Sequence, residues 1–244
     1  MTNMMNSLGL AAEANLEGSD LLEVGETSKA LKAFRAGLKF LNDGCQRQRE
    51  NSRRSFSSSD CIAAVSSRPV QLGANHDGIS GESVSPVAPS AYYSQSFVFV
   101  VPSSEEDVSL GEHSFFSAIV IYNTALALHQ KGGNTSAGHN ANDSISKKKR
   151  QSLLKALLFY NEALNLLRPL LEAEQAEAFR VVQEVLRNQA DIYSRLNDFG
   201  NVQRVWQDLA AITSTLGTTS SGPHQATRGN PGSIQKKSKV AASA

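Results

Sequence analysis

With 244 residues, 24 Lys and Arg against 23 Asp and Glu, and a net charge of +1, the chain has no global electrostatic bias toward nucleic acid or a membrane surface. Its two cysteines, Cys45 and Cys61, form no CxxC pair, which argues against a disulfide framework and suits a reducing compartment, cytoplasmic or nuclear. The opening MTNMMNSLGL has neither the basic nor the apolar region of a signal peptide, and the most apolar run, 115–128, is interrupted by Asn123 and Thr124 short of the ~20 residues that span a bilayer. A soluble intracellular protein without membrane insertion is the expectation.

Residues 11–42 read as a helical hairpin. Leu16, Leu21, Leu22 and Val24 mark the first helix, Gly25 its left-handed stop, and Thr27 or Ser28 the next N-cap. Ala30, Leu31, Phe34, Leu38 and Leu41 then recur at three- and four-residue spacing along one helical face. From Cys45 to Ser67 the composition turns to Ser and Arg, a solvated linker. Within 45–113 a small β-excursion is predicted: short runs at 61–65 and 70–72, and the strongest, AYYSQSFVFVV, at 91–101 between Pro89 and Pro102.

The stretch 118–131, AIVIYNTALALHQK, is apolar on nearly every side and so needs partners on both flanks, for which the helical stretches 151–168 and 176–196 are the candidates. Residues 132–146 form a polar low-complexity insertion. A helix follows through SLLKALLFYNEALNLL, which Pro169 interrupts unless it opens the next helix; 170–196 reads as one long helix, 197–200 as a turn, and 202–216 as the last helix. The basic tail 217–244 has the composition of a disordered segment.

An internal repeat is the most specific signal. Ala156, Tyr160, Ala163, Leu164 and Leu166 follow the pattern A-x3-[FY]-x2-[AG]-L-x-[LF], and Ala30, Phe34, Gly37, Leu38 and Phe40 repeat it. This resembles the second helix of a tetratricopeptide (TPR) hairpin, in which small residues let helices approach and an aromatic fills the space between them. Tyr122 to Gly132 resembles a TPR first helix, as do Gly18, Leu21 and Gly25 earlier and Ala190 and Tyr193 later, with Trp206 as the last aromatic. The resemblance implies an all-α fold of about three TPR-like hairpins, at 11–42 and within 115–216, covering a little over half the chain. Phe34, Tyr160 and Trp206 are then core residues. The pattern departs from the family at Glu17, Thr124, Gln189, Val202 and Leu209, and the repeats are not contiguous.

No GxSxG, HExxH, Walker or Rossmann pattern occurs, and the five histidines are scattered, with only His129 on a predicted helix. Neither an enzyme, a metal site nor a cofactor is expected, and a small-molecule substrate is not indicated. The resemblance implies instead a protein-protein interaction module or adaptor, with a groove lined by first helices: Asn15, Ser19 and Leu22, then Tyr122, Asn123, Leu126 and His129, then Arg187, Asp191 and Ser194. TPR domains that bind an acidic C-terminal tail grip it with a five-residue carboxylate clamp. Here only Asn123 matches; Asn15 and Ser19 replace Lys and Asn, and Glu184 and Asn188 stand where two cations belong, so no such tail is expected to bind. The alternative is a nucleic-acid or acidic-surface binder acting through the basic runs 47–54, 147–150 and 236–239, which lack aromatic interleaving apart from Phe56.

Overall fold

The computed structural model describes residues 2–51, 65–71, 93–101, 110–133, 146–173 and 175–219. Among these residues, six helices, α1 (Thr2–Glu23), α2 (Thr27–Asn51), α3 (Leu110–Gly133), α4 (Lys147–Glu172), α5 (Ala176–Arg195) and α6 (Phe199–Thr219), accompany two strands, β1 (Val65–Gln71) and β2 (Tyr93–Phe99). The fold is mostly helical with a small two-stranded sheet. Most of the polar insertion 132–146, the basic run 236–239, and the strand residues predicted at 61–64 lie outside the described residues.

Chain chemistry sets the helix ends. Gly25 takes φ +82° between α1 and α2, a conformation that costs a residue with a Cβ. The amides of Lys29 and Ala30 both reach the Glu26 carbonyl, so the N-cap position falls on Glu26, one residue before the expected Thr27 or Ser28. Ser146 caps α4, its hydroxyl accepting from the Lys149 amide at 3.4 Å. Asp198 caps α6 by accepting from the Asn201 amide at 3.2 Å, after Asn197 turns the chain at φ 58°.

Several boundaries differ from the sequence reading. α2 continues to Asn51, through residues assigned to the linker, because Gln, Arg and Glu are good helix formers and Gly44 packs toward Ser7 and His113. Pro169 neither breaks α4 nor starts α5; it lies in the last turn of α4, which ends at Glu172, and α5 begins at Ala176, so 170–196 is not one helix. β1 bridges the two short runs rather than coinciding with either.

The core runs through α3. Ala118, Ile119, Val120, Tyr122, Ala125, Leu126 and Ala127 are fully buried, as the all-round apolar pattern requires. Its main flanks are α4 and α2; α5, expected as a principal flank, makes only a narrow contact. α1 packs on α2 and α5 on α6, giving three helical hairpins in chain order, with α4 joining the second to the third. The repeated small-aromatic-small residues are buried in both copies: Ala30, Phe34 and Gly37 in α2, and Ala156, Tyr160 and Ala163 in α4. A Cβ on Gly18 would lie 2.4 Å from the Phe34 ring, so the two residues form one close contact between α1 and α2.

Trp206 corrects the expectation. It is 54 % exposed, because the inward stripe of α6 is Val202, Val205, Leu209 and Ile212 and the indole falls beside it.

Candidate functional site

The first helices of the three hairpins, α1, α3 and α5, all contact β2. On its other side β2 pairs antiparallel with β1, Phe97 opposite Ser67 and Gln95 opposite Pro69. The strand therefore lies between a short edge strand and a face built from three helices.

That face holds the strand by its main chain. Asn123 accepts the Phe97 N–H at Oδ1 (3.0 Å) and donates from Nδ2 to the Phe97 carbonyl (2.7 Å). The same carbonyl accepts from Asn15 Nδ2 at 2.9 Å, and Asn123 Nδ2 also donates to Asn15 Oδ1 at 2.8 Å. One peptide position is thus gripped at both polar groups by two carboxamides that brace each other. Two residues earlier, the Tyr122 hydroxyl donates to the Gln95 carbonyl at 2.7 Å. Its single proton is committed there, so the Ser94 hydroxyl donates to the Tyr122 oxygen at 3.1 Å. Asn188 of α5 completes the cluster, donating to Ser94 Oγ (2.8 Å) and to the Tyr122 oxygen (3.1 Å).

Side chains add apolar contacts. The Phe97 ring is tilted against Tyr122, with centroids 5.3 Å apart, and Phe99 stacks on Phe116 at 4.5 Å. Ser94, Ser96, Phe97, Val98 and Phe99 are all buried, while Gln95 is exposed. At the rim, an open cleft is lined by Gln95, Phe97, Arg180, Gln183, Glu184 and Arg187. Arg187 pairs there with Glu184 on the same helix face.

A second polar cluster pins α5 to α3. His129 is fully buried and its Nε2 lies 2.8 Å from Asp191 Oδ2, which also accepts from Arg195 Nε at 2.7 Å. Burial lowers the His129 pKa and outweighs the opposing pull of Asp191, with Arg195 adding to the lowering. For Asp191, burial alone would raise the carboxyl, but the His129 and Arg195 contacts together hold it below its ordinary value. The consistent assignment is a neutral imidazole donating from Nε2 to a carboxylate, which leaves Nδ1 as a bare acceptor without a partner among the described residues. His113, also in α3, is buried with neither ring nitrogen partnered among the described residues, and burial lowers its pKa too.

Of the residues expected in the groove, the structure brings Asn15, Tyr122 and Asn123 together on the strand, and His129 with Asp191 one to two turns away. Arg187 stands at the rim. Ser19, Leu22 and Leu126 are buried, the Leu22 carbonyl accepting from Gln130 at 3.4 Å, and Ser194 is exposed. The face is not empty, as a groove reading had implied. Ser94, Gln95, Phe97 and Phe99 were read only as a strand. Their extended, aromatic-rich pattern signals burial against something, without saying what. No family model, curated protein or solved structure matches the chain.

Proposed function

We propose that this chain is a non-catalytic, TPR-like interaction module whose α1–α3–α5 face engages an extended protein segment. The observation that supports this reading most is the double grip of Asn15 and Asn123 on the Phe97 peptide group. Carboxamides that bond a main chain are indifferent to the side chain at that position, which suits recognition of extended polypeptide by shape. The buried main-chain groups of a strand edge need hydrogen-bond partners, and the side chains of Asn15, Asn123 and Tyr122 supply them from the helical face, an arrangement suited to extended polypeptide.

The test is site-specific crosslinking in cells. A photoreactive residue replacing Arg187, at the rim of the face, should capture discrete protein partners, while one replacing Lys155 on the exposed side of α4 should not. Equal capture at both positions would sink the reading. Capture of nucleic acid that disappears between about 50 and 200 mM salt would favour the basic segments instead.

A further inference from the structure

We infer that β2 is an internal occupant of a site that also takes an extended segment of another polypeptide, and that the partner binds by strand exchange with β2. The proposal rests on the interaction-module reading and adds the chemistry of the ligand: small–x–small–aromatic–x–aromatic, as in Ser94-Gln95-Ser96-Phe97-Val98-Phe99, entering with the polarity of β2.

Three observations converge on it. First, the register shows which edge of the hairpin recognises peptide. Phe97 and Gln95 turn their main-chain groups toward the helices, so their partners Ser67 and Pro69 turn theirs outward, away from β2. Pro69 has no N–H, which interrupts the outer edge of β1 and blocks addition of a further strand there. A segment that pairs through its main chain is therefore directed to the inner position, where the carboxamides are.

Second, the resident strand satisfies that position incompletely. Ser96 Oγ on β2, Asn188 Oδ1 on α5 and Ser19 Oγ, one turn beyond Asn15 on the same face of α1, are buried without a partner among the described residues. Unpaired buried groups weigh against the resident state. The single proton of the Ser94 hydroxyl is committed to Tyr122, so only an occupant with a second side-chain donor at that position would also satisfy Asn188 Oδ1.

Third, although Phe97 and Phe99 belong to the same hydrophobic core as the helices, the helices also pair with one another directly. The contacts of α1 with α2, α2 with α3, α3 with α4 and α5 with α6 are all helix to helix, whereas β2 packs mainly on α1, α3, α5 and β1 among the described residues. Removing the strand exposes Phe116 and Tyr122 but leaves every helical hairpin paired.

The probe is a synthetic peptide of the sequence AYYSQSFVFVV, residues 91–101. In the intact chain the tethered strand competes at millimolar effective concentration, so peptide binding is weak. In the full chain carrying Phe97→Ser and Phe99→Ser, the aromatic contacts of the tethered strand are gone while Asn15, Asn123 and Tyr122 remain. This variant should bind the peptide at least ~10-fold more tightly than wild type, and adding Asn123→Ala should abolish the gain. A variant that keeps its helical spectrum yet binds no better than wild type overturns the proposal. So does binding that is indifferent to Asn123.

Should the variant fail to fold, hydrogen exchange on the wild-type chain decides. The Phe97 amide and its β2 neighbours should exchange at least ~100-fold faster than amides in the centre of α3, reporting a local opening. Exchange of both at one common rate means the strand leaves only on global unfolding, and strand exchange is excluded. Crosslinking at Arg187 would be untouched by that result, so the two readings fail separately. A wild-type dimer that is lost on Asn123→Ala would make a second copy the occupant and overturn the assignment to a different polypeptide.

Discussion

Asn123→Ala tests whether the carboxamide grip exists in solution. Alanine removes three hydrogen bonds, at 3.0, 2.7 and 2.8 Å. What matters more is which groups are left unpaired. The Phe97 N–H and Asn15 Oδ1 lose their bonds inside a buried site, while the Phe97 carbonyl keeps Asn15. At roughly 1–3 kcal/mol for each orphaned group, the loss should be about 4 kcal/mol. Asn15→Ala removes two hydrogen bonds, one of them shared with that set, yet orphans less: the Phe97 carbonyl keeps Asn123, and the Asn123 amide keeps that carbonyl. Its cost should be about 1–2 kcal/mol, near that of simple bond loss. Urea unfolding followed by circular dichroism, with the slope compared to confirm an unchanged unfolding transition, measures both. Equal costs for the two variants, or less than ~1 kcal/mol for Asn123→Ala, would refute the geometry.

Trp206→Ala should cost less than ~1 kcal/mol, because the indole is half exposed and its removal opens no cavity; thermal melting would show it, and a loss of ~3 kcal/mol or more would mean the side chain is buried in solution. Gly18→Ala should destabilise by about 1–3 kcal/mol despite alanine's better helix propensity, since its Cβ would meet the buried Phe34 ring, whereas Gly9→Ala, with nothing within 4 Å, should stabilise by roughly 0.5–1 kcal/mol. A Gly18 variant as stable as wild type would show that α1 and α2 are further apart than described. Stability should also fall as pH drops through about 6.5. The folded pKa values of His113 and His129 are lowered below 6.5, so there the unfolded chain takes up protons first. His113→Leu should reduce that slope, and unfolding midpoints at about pH 7 and 5 would reveal an unchanged slope if His113 is solvated.

How far the chain reveals itself depends on the range of the interaction. α3 was legible because a segment apolar on all sides has no stable solution except burial between neighbours. The alternating small and aromatic residues of α2 and α4 were legible because close approach of two helices leaves few alternatives to Ala or Gly at the contact. β2 could be read from its β-branched and aromatic residues. What could not be read was its destination: the bonds that hold it join residues 82 and 26 positions apart, and no local pattern encodes such a pairing. The resemblance put Asn15 and Asn123 among the expected groove residues, but gave no sign of their mutual bond, 108 positions apart. Trp206 was misassigned by matching an aromatic to a motif. Val202, Val205, Leu209 and Ile212 centre the inward stripe to one side of Trp206, which is left at its edge.

Two serines in the strand bear on both stability and binding, and they should respond in opposite ways. Ser94 and Ser96 are fully buried, two residues apart, and chemically identical. Ser94 Oγ bonds Asn188 at 2.8 Å and Tyr122 at 3.1 Å, so Ser94→Ala strips partners from both and should cost about 1–3 kcal/mol. Ser96 Oγ has no partner among the described residues, so Ser96→Ala removes a desolvated hydroxyl and should stabilise by about 1 kcal/mol. If the tethered strand and a partner compete for one site, that gain belongs to the closed state alone. Ser96→Ala should then raise the melting temperature and weaken binding of the 91–101 peptide together, by roughly fivefold for each 1 kcal/mol. Differential scanning fluorimetry and peptide titration on the same preparation measure the pair. A Ser96→Ala chain less stable than wild type by more than ~1 kcal/mol would show that the hydroxyl is satisfied in solution, and would remove the argument that the resident strand is a replaceable fit.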